Sequence, residues 1–471
     1  MDPTPLQTIA ELCGGRLSGD GGTPIARISK DTRTIRPGDL YLALRGESFD
    51  GNDFVADAFA RGAAAAIVDR DPSTAALPAG APIIRVGDSL AALQTLASAW
   101  RDRLTLRVVA ITGSSGKTST KEFTAAVLGR RLQVTRTEGN LNNHVGLPLT
   151  ILSASQSDQA AVWEIGMNHP GEIAPLARIA RPDAAILTNI GVAHIEFFGH
   201  RDGIANEKAD LARAVHADGA IILPAEDDYA GYLRETASDR RVLSCGLRDG
   251  DIRADGISLD ASGASFTIHA FGETAAARIP VTGEHMVRNA LLAVAAGLNF
   301  GLSLDECVEG LAAARLTGGR LEQKSIRGIR FLDDTYNANP DSVDAALKTL
   351  AAIPAGGRRI AVLGRMGELG AHADAGYRRV GSAAATTVDA LVAVGPETAP
   401  LCEAARAAGL SHIFAPADTR EAAAILHDLV REGDLVLVKG SRAARMENVI
   451  SAFAEMEEHL AGEPGANTGT P

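Results

Sequence analysis

The segment Leu106-Arg-Val-Val-Ala-Ile-Thr-Gly-Ser-Ser-Gly-Lys-Thr-Ser-Thr120 constrains this chain most, because an apolar strand runs into a Gly/Ser turn that opens onto a lysine-led helix. Such a turn holds phosphates. The first N–H groups of a helix lack intrahelical acceptors, the peptide dipoles add partial positive charge, and glycines let the backbone close on an anion. Lys117 is then spaced to reach the outer phosphates and the Thr118 hydroxyl a magnesium ion. A full Walker A motif has glycine five residues before Gly116, where this chain has Ile111. The shorter form that remains, Thr112-Gly-x-x-Gly-Lys-Thr118, predicts an ATP site built from Gly113, Ser114, Ser115, Gly116, Lys117, Thr118 and Ser119. An ordinary strand-turn-helix connection is the alternative, and the coincidence of lysine, hydroxyls and flanking elements weighs against it.

With 471 residues and roughly 150 per domain, two to four domains are expected. Hydrophobic residues at 46% with 22% charged is a globular composition. The net charge of −12 argues against nucleic acid or an anionic membrane as the main partner. Cys13, Cys245, Cys307 and Cys402 lie far apart with no paired spacing, which suits a reducing compartment and no zinc cluster. Asp2 and Glu11 stand where a signal peptide would be basic and then apolar, and no segment approaches the roughly 20 apolar residues of a membrane span. The expectation is a soluble, cytoplasmic protein without membrane insertion.

The chain divides into three stretches, 1–103, 104–317 and 318–471. In the first, short strands over 40–44, 65–68 and 82–86 alternate with helices over 54–61 and 90–103, giving a small α/β unit. The second continues from the phosphate turn through apolar strands over 160–165, 184–189 and 219–223, which predicts a parallel sheet covered on both faces, with its site at the strands' carboxyl ends. Polar–apolar alternation over 241–281 predicts antiparallel pairing before an Ala-rich helix that starts near Gly283. From about Gly318, strands over 329–332, 359–363, 390–394 and 435–438 repeat the α/β texture in a Rossmann-like domain. The tail after Gly462 reads as disordered.

Behind the turn, Val162-Trp-Glu-Ile-Gly-Met-Asn168 puts Glu164 at the end of a buried strand, where a carboxylate is costly without a cation. Asn189-Ile-Gly-Val-Ala-His194 repeats the arrangement with a histidine. Each has a structural explanation when taken alone. Together, on consecutive strand ends, they suit magnesium, which favours hard ligands and shares phosphate oxygens. Lys208, on an amphipathic helix, reads from periodicity alone as a solvated lysine.

With these segments laid out, the chain resembles the Mur ligase family over nearly its whole length. The resemblance is carried by Thr112 to Ser119, Gly139-Asn-Leu-Asn-Asn-His-Val-Gly-Leu-Pro148, Glu164 to Asn168, Ala193-His-Ile-Glu-Phe-Phe-Gly199, Asp334-Thr-Tyr-Asn-Ala-Asn-Pro-Asp-Ser342 and Val438-Lys-Gly-Ser-Arg442. It implies a central P-loop ATPase domain between a UDP-binding domain and a C-terminal domain for the incoming amine. Segments Ser29 to Arg33 and Ala43 to Gly51 look like its UDP-binding elements, assigning Ser29, Asp31, Thr32, Arg33 and Gly46, with Asn142 and Asn143, to that substrate. By the same resemblance Asn289, Arg320 and Asp334 lie at the nucleotide, and Tyr336, Asn337 and Asn339 on the amine side.

Further implications are two magnesium ions held by Thr118, Glu164, His194 and Lys208, with Lys208 carbamylated. Lys117, Glu164, His194 and Lys208 are the expected catalytic group. The Tyr336-Asn-Ala-Asn-Pro340 and Lys439-Gly-Ser-Arg442 segments point to the dipeptide-adding branch, whose substrates are ATP, UDP-N-acetylmuramoyl-tripeptide and D-alanyl-D-alanine. The third-residue-adding branch, a folylpolyglutamate synthase-like ligase and a regulatory P-loop ATPase are the alternatives. Arg365 departs from the family pattern, which usually has Asp there, and His144 falls where an acidic residue often sits. Gly318-Gly319 is the expected hinge between the second and third domains.

Overall fold

The computed structural model describes residues 1–72, 77–237 and 239–461, with side chains to residue 456 in the last helix, so the tail after Gly462 lies outside the described residues. Short runs of Val, Ile and Ala such as Arg107–Thr112, Ala160–Glu164 and Ala184–Leu187 are buried at nearly every position. Strands of that kind need helices on both faces, and the chain supplies them in alternation.

Among the described residues three principal sheets result. The first has the order Arg16–Ser18, Ile83–Arg85, Ala65–Val68, Leu40–Leu42, Ile28–Ser29, antiparallel only at its first pair. The second has nine strands. From one edge they run Val134–Arg136, Ala160–Glu164, Arg107–Thr112, Ala184–Leu187, Ala220–Pro224, Arg241–Gly246 and Ile252–Asp260, all parallel. Gly263–Ala270 and Glu273–Ile279 then complete the sheet antiparallel. The antiparallel expectation for 241–281 thus needs correcting at its start. Arg241–Gly246 buries its last four positions and pairs parallel with Ala220–Pro224, so it belongs to the covered core despite its polar first residue.

The third sheet has the order Glu322–Ile326, Ile329–Asp334, Leu435–Lys439, Arg359–Leu363, Ala390–Ala393, Ile413–Phe414, parallel except at its first pair. Its last strand in sequence inserts between the first two parallel ones, so connections leave in opposite directions there and open a crevice at the carboxyl ends. In the second sheet Glu164 lies level with Ile111 and Leu187 with Thr112. In the third, Asp334 and Leu363 both lie level with Lys439. These two carboxyl edges carry the site. Among the described residues no helix is long and apolar enough to cross a membrane.

Helix Ser89–Arg103 joins the first domain to the second. Asp88 caps it by accepting from Ala91 N–H at 2.7 Å, and Leu93, Leu96, Ala97 and Trp100 form its buried face. The Trp100 indole donates to the Ala154 carbonyl at 3.0 Å, so a large apolar ring is buried without an orphaned N–H. Trp100→Ala should cost about 3–5 kcal/mol in urea unfolding. A loss below about 1 kcal/mol would mean that the ring is not part of a shared core.

Candidate active site

The phosphate turn is stitched to the neighbouring strand exit. Gly113 has φ +151°, and a Cβ there would lie 1.8 Å from Thr188 Oγ1. Gly116, at φ +78°, turns the chain into helix Lys117–Leu128. Thr188 Oγ1 donates to the Ser115 carbonyl at 2.5 Å, and the N–H groups of Ser114 and Ser115 donate to Asn189 O (3.1 Å) and Oδ1 (2.8 Å). These two N–H groups, expected to face phosphate, are therefore committed within the protein. The donors that remain are those of the helix's first turn. Lys117 Nζ arcs back to donate to the Gly113 carbonyl at 2.7 Å. Burial, reinforced by Arg320, lowers its basicity, while Glu164 and Glu368 oppose the change.

Glu164 sits at its strand end, 3% exposed. Thr118 Oγ1 donates to one carboxylate oxygen at 2.8 Å and Asn142 Nδ2 to the other at 2.8 Å. Asn142, expected with the UDP substrate, thus stands at the phosphate turn. Thr118 and Glu164 offer hard oxygen donors, and among the described residues no three His, Cys, Asp or Glu side chains converge as a metal cluster. A cation held here would also share phosphate oxygens and water, which suits magnesium.

Lys208 is not the solvated residue that periodicity alone suggests. It is 1% exposed on helix Arg201–Arg213, whose buried face also includes Ile204, Ala205, Glu207, Leu211 and Ala212. Burial, and then Lys117, push its basicity well below the usual lysine value, against the pull of Glu207. Glu207 itself accepts from the N–H groups of Gly171 (2.7 Å) and Ile173 (2.8 Å), anchoring the loop after Glu164.

His194, at φ +64°, points across to the third domain. Its Nδ1 lies 2.5 Å from Glu368 Oε2, at ion-pair distance but outside hydrogen-bond alignment. That contact holds the Glu368 carboxyl below its usual pKa. Polar contacts complete the docking. Val192 N–H donates to Asp341 at 2.9 Å, Asn339 Nδ2 to Ser115 Oγ at 3.3 Å, and His372 Nε2 lies 3.0 Å from the Gly199 carbonyl.

Between the domains lies a cavity of about 1460 Å³. The turn from Ser114 to Ser119, Asn142, Asn143, Glu164, His194 and Asn289 line one side. Arg320, Asp334, Tyr336, Asn337 and Asn339 line the other. The Arg320 guanidinium stacks 4.0 Å over the Tyr336 ring, and Lys439 Nζ donates to Asp334 (2.5 Å) and the Asn337 carbonyl (2.9 Å). Burial nevertheless raises the Asp334 pKa. Asn339 caps helix Pro340–Ala352 by accepting from Ser342 N–H, so its carbonyl oxygen is already engaged. Gly113 and Lys208 are absent from the lining, as are Ser29, Asp31, Thr32, Arg33 and Gly46. Among these, Asp31 pairs with Arg33 at 2.6 Å, and Ser29 bonds within its own loop, to Thr34 at 3.1 Å.

Sequence reasoning missed Glu368, whose partner lies in another domain, and a charged network beneath the turn. Lys121, 1% exposed, donates to the Thr137 carbonyl (2.7 Å) and pairs with Glu122 (3.0 Å). Glu122 also meets Arg136 (3.1 Å) and Thr317 (3.3 Å), while Thr137 Oγ1 accepts from Glu164 N–H (2.9 Å). Burial of these charges is tolerable because each is paired. Consecutive charges one turn into a helix otherwise read as solvent-facing, so their spacing gave no signal. His285, beside Lys439 and Arg288, is pushed down to about 4 by burial and by those cations, and stays neutral near pH 7.

Residues 24–101, 111–297 and 319–442 match the family models described as Mur ligase family, catalytic domain, Mur ligase middle domain, and Mur ligase, glutamate ligase domain. A Bacillus subtilis protein named UDP-N-acetylmuramoyl-tripeptide–D-alanyl-D-alanine ligase is 35% identical over 464 residues, covering 96% of this chain and 98% of that one. A crystal structure of MurF from Acinetobacter baumannii superposes with a TM-score of 0.89 at 35% identity, over 97% of this chain and 99% of that one. MurF ligase from Thermotoga maritima, solved in complex with ADP, gives 0.81 at 29% identity, over 92% and 98%. Similarity of this extent, running through all three domains, means that the chain belongs to the Mur ligase family.

Proposed function

We infer that this chain is an ATP-dependent ligase that joins D-alanyl-D-alanine to UDP-N-acetylmuramoyl-tripeptide through an acyl phosphate, in the cytoplasmic stage of peptidoglycan precursor synthesis. The observation that carries the reading is one cavity with a phosphate turn on one wall and a Rossmann-like carboxyl edge on the other. The full-length similarity to ligases of that name supports the choice of substrates.

In the reaction, a carboxylate oxygen of the tripeptide attacks the γ-phosphorus of ATP and ADP leaves. The dipeptide nitrogen then attacks the acyl carbon, loses a proton, and phosphate departs with the carboxylate's oxygen. Lys117 and the N–H groups at the start of helix Lys117–Leu128 neutralise charge on the transferring phosphoryl group. Thr118 and Glu164 would hold magnesium, with His194 and a carbamylated Lys208 as further ligands, and the metal would supply Lewis-acid neutralisation of phosphate charge. Asn289, Arg320 and Asp334 bound the nucleotide, and Tyr336, Asn337 and Asn339 face the amine.

Carbamylation has a physical basis in the depressed basicity of Lys208. A neutral amine adds carbon dioxide, releases a proton and becomes an anion able to ligate metal. Residues 1–103 take the UDP end through Ser29, Asp31, Thr32, Arg33 and Gly46, assisted by Asn142 and Asn143. Residues 104–317 take ATP, and 318–471 the amine. Gly318 and Gly319, the latter at φ +73°, form the hinge on which the third domain closes to shield the acyl phosphate from water.

Release of ADP and phosphate should require UDP-muramoyl-tripeptide and D-alanyl-D-alanine together, measured by coupled ADP detection. Equal rates when free diaminopimelate or lysine replaces the dipeptide, with a UDP-muramoyl-dipeptide acceptor, would move the enzyme to the neighbouring branch. Lys208→Ala should lower turnover by about 100-fold or more while ATP binding, followed by calorimetry, is retained. Wild-type turnover in that variant would leave Lys208 a buried structural residue.

A further inference from the structure

The basic side chains that line the cavity are Lys117, Arg288, Arg320, Arg365, Lys439 and Arg442. Five have partners. Lys117 donates to the Gly113 carbonyl (2.7 Å), Arg288 pairs with Glu226 (2.5 Å), and Arg320 covers Tyr336 (4.0 Å). Lys439 pairs with Asp334 (2.5 Å) and Arg442 with Glu447 (2.8 Å). The Arg365 guanidinium forms no ion pair or hydrogen bond among the described residues.

Its backbone, in contrast, is pinned on both sides. Gly364 N–H donates to the Lys439 carbonyl (2.9 Å), Ser441 N–H to the Arg365 carbonyl (2.7 Å), and Met366 N–H to Tyr377 Oη (2.9 Å). Arg365 therefore stands at the carboxyl edge of the third sheet, two residues past strand Arg359–Leu363, as an exposed cation on a fixed base. Three residues further along the same loop, Glu368 touches His194 on the phosphate side. Ligands of open α/β sheets lie in the crevice at this edge.

The proposed function supplies the anion that matches this cation. The incoming dipeptide presents its amine to the acyl phosphate and carries a carboxylate about 7 Å away at full extension. A carboxylate entering the cavity is costly unless a cation receives it, and a guanidinium fork receives it through two parallel hydrogen bonds. The nucleotide's phosphates already have Lys117 and the helix N-terminus. We propose that Arg365 binds the terminal carboxylate of the dipeptide, and so helps set the length of amine substrate that the site accepts. This rests on the ligase reading above.

The test compares D-alanyl-D-alanine with D-alanyl-D-alaninamide, which lacks the negative charge, in the wild type, Arg365→Ala and Arg365→Lys. Arg365→Ala should raise the dipeptide KM roughly 10- to 100-fold and leave the KM values for ATP and UDP-tripeptide within about twofold. The wild type should disfavour the amide by a similar factor, Arg365→Ala should not, and Arg365→Lys should recover part of the discrimination. Equal discrimination against the amide by wild type and Arg365→Ala would overturn the proposal, as would a loss that falls on ATP or UDP-tripeptide. Absence of any dipeptide-dependent turnover in the wild type would instead remove the ligase reading, and the proposal with it.

Discussion

Lys117, folded back onto the Gly113 carbonyl of the phosphate turn, is the cation around which much of the site is arranged, and the buried Lys208 is held well below the usual lysine basicity by burial and then by Lys117. Glu164 and Glu368 oppose the loss of basicity at Lys117 and Glu207 opposes it at Lys208, while Glu368 arrives from another domain to pair with His194. Glu164, Glu207 and Lys208 are buried, so each must be offset by position. A site that holds cations ready before a polyanion arrives needs no reorganisation when it does, and that is the condition for electrostatic stabilisation of phosphoryl transfer.

The surroundings keep those charges in place. The turn cannot drift from its neighbouring strand because Thr188 and Asn189 accept and donate across the gap, and because Gly113 leaves no room for a side chain. Glu164 is fixed twice, by its carboxylate bonds to Thr118 and Asn142 and by its N–H bond to Thr137, which Lys121 also grips. The domain joins differ in kind. The first domain shares a buried apolar face with the second through Trp100, whereas the bonds cited above between the second and third domains are polar and open to exchange with water. Polar contacts of this sort suit an interface that forms and parts during turnover.

Much of this was legible in the sequence wherever the information is local. The phosphate turn, the buried carboxylate at Glu164 and the α/β alternation each follow from residues within about one structural unit of one another. Lys208 was misjudged by periodicity because its burial comes from packing that a single helix does not encode. Glu368 had no signal, since its meaning appears only once the third domain meets His194. The side-chain bond from Asn142 to Glu164 had no local signal either, because the loop that carries Asn142 meets the end of that strand only in the fold. The donors of Ser114 and Ser115 looked free in sequence and are taken by Asn189, a residue about 75 positions away whose role depends on sheet order.

The ligase reading depends on activation of a carboxylate by phosphoryl transfer within this cavity. UDP-muramoyl-tripeptide labelled with oxygen-18 in the reacting carboxylate tests it directly, with released phosphate examined by mass spectrometry during turnover with ATP and D-alanyl-D-alanine. The acyl-phosphate route breaks the bond between the acyl carbon and that oxygen, so each amide formed should deliver one labelled oxygen to phosphate. Phosphate free of label, at a rate of amide formation equal to that of ATP consumption, would contradict the account.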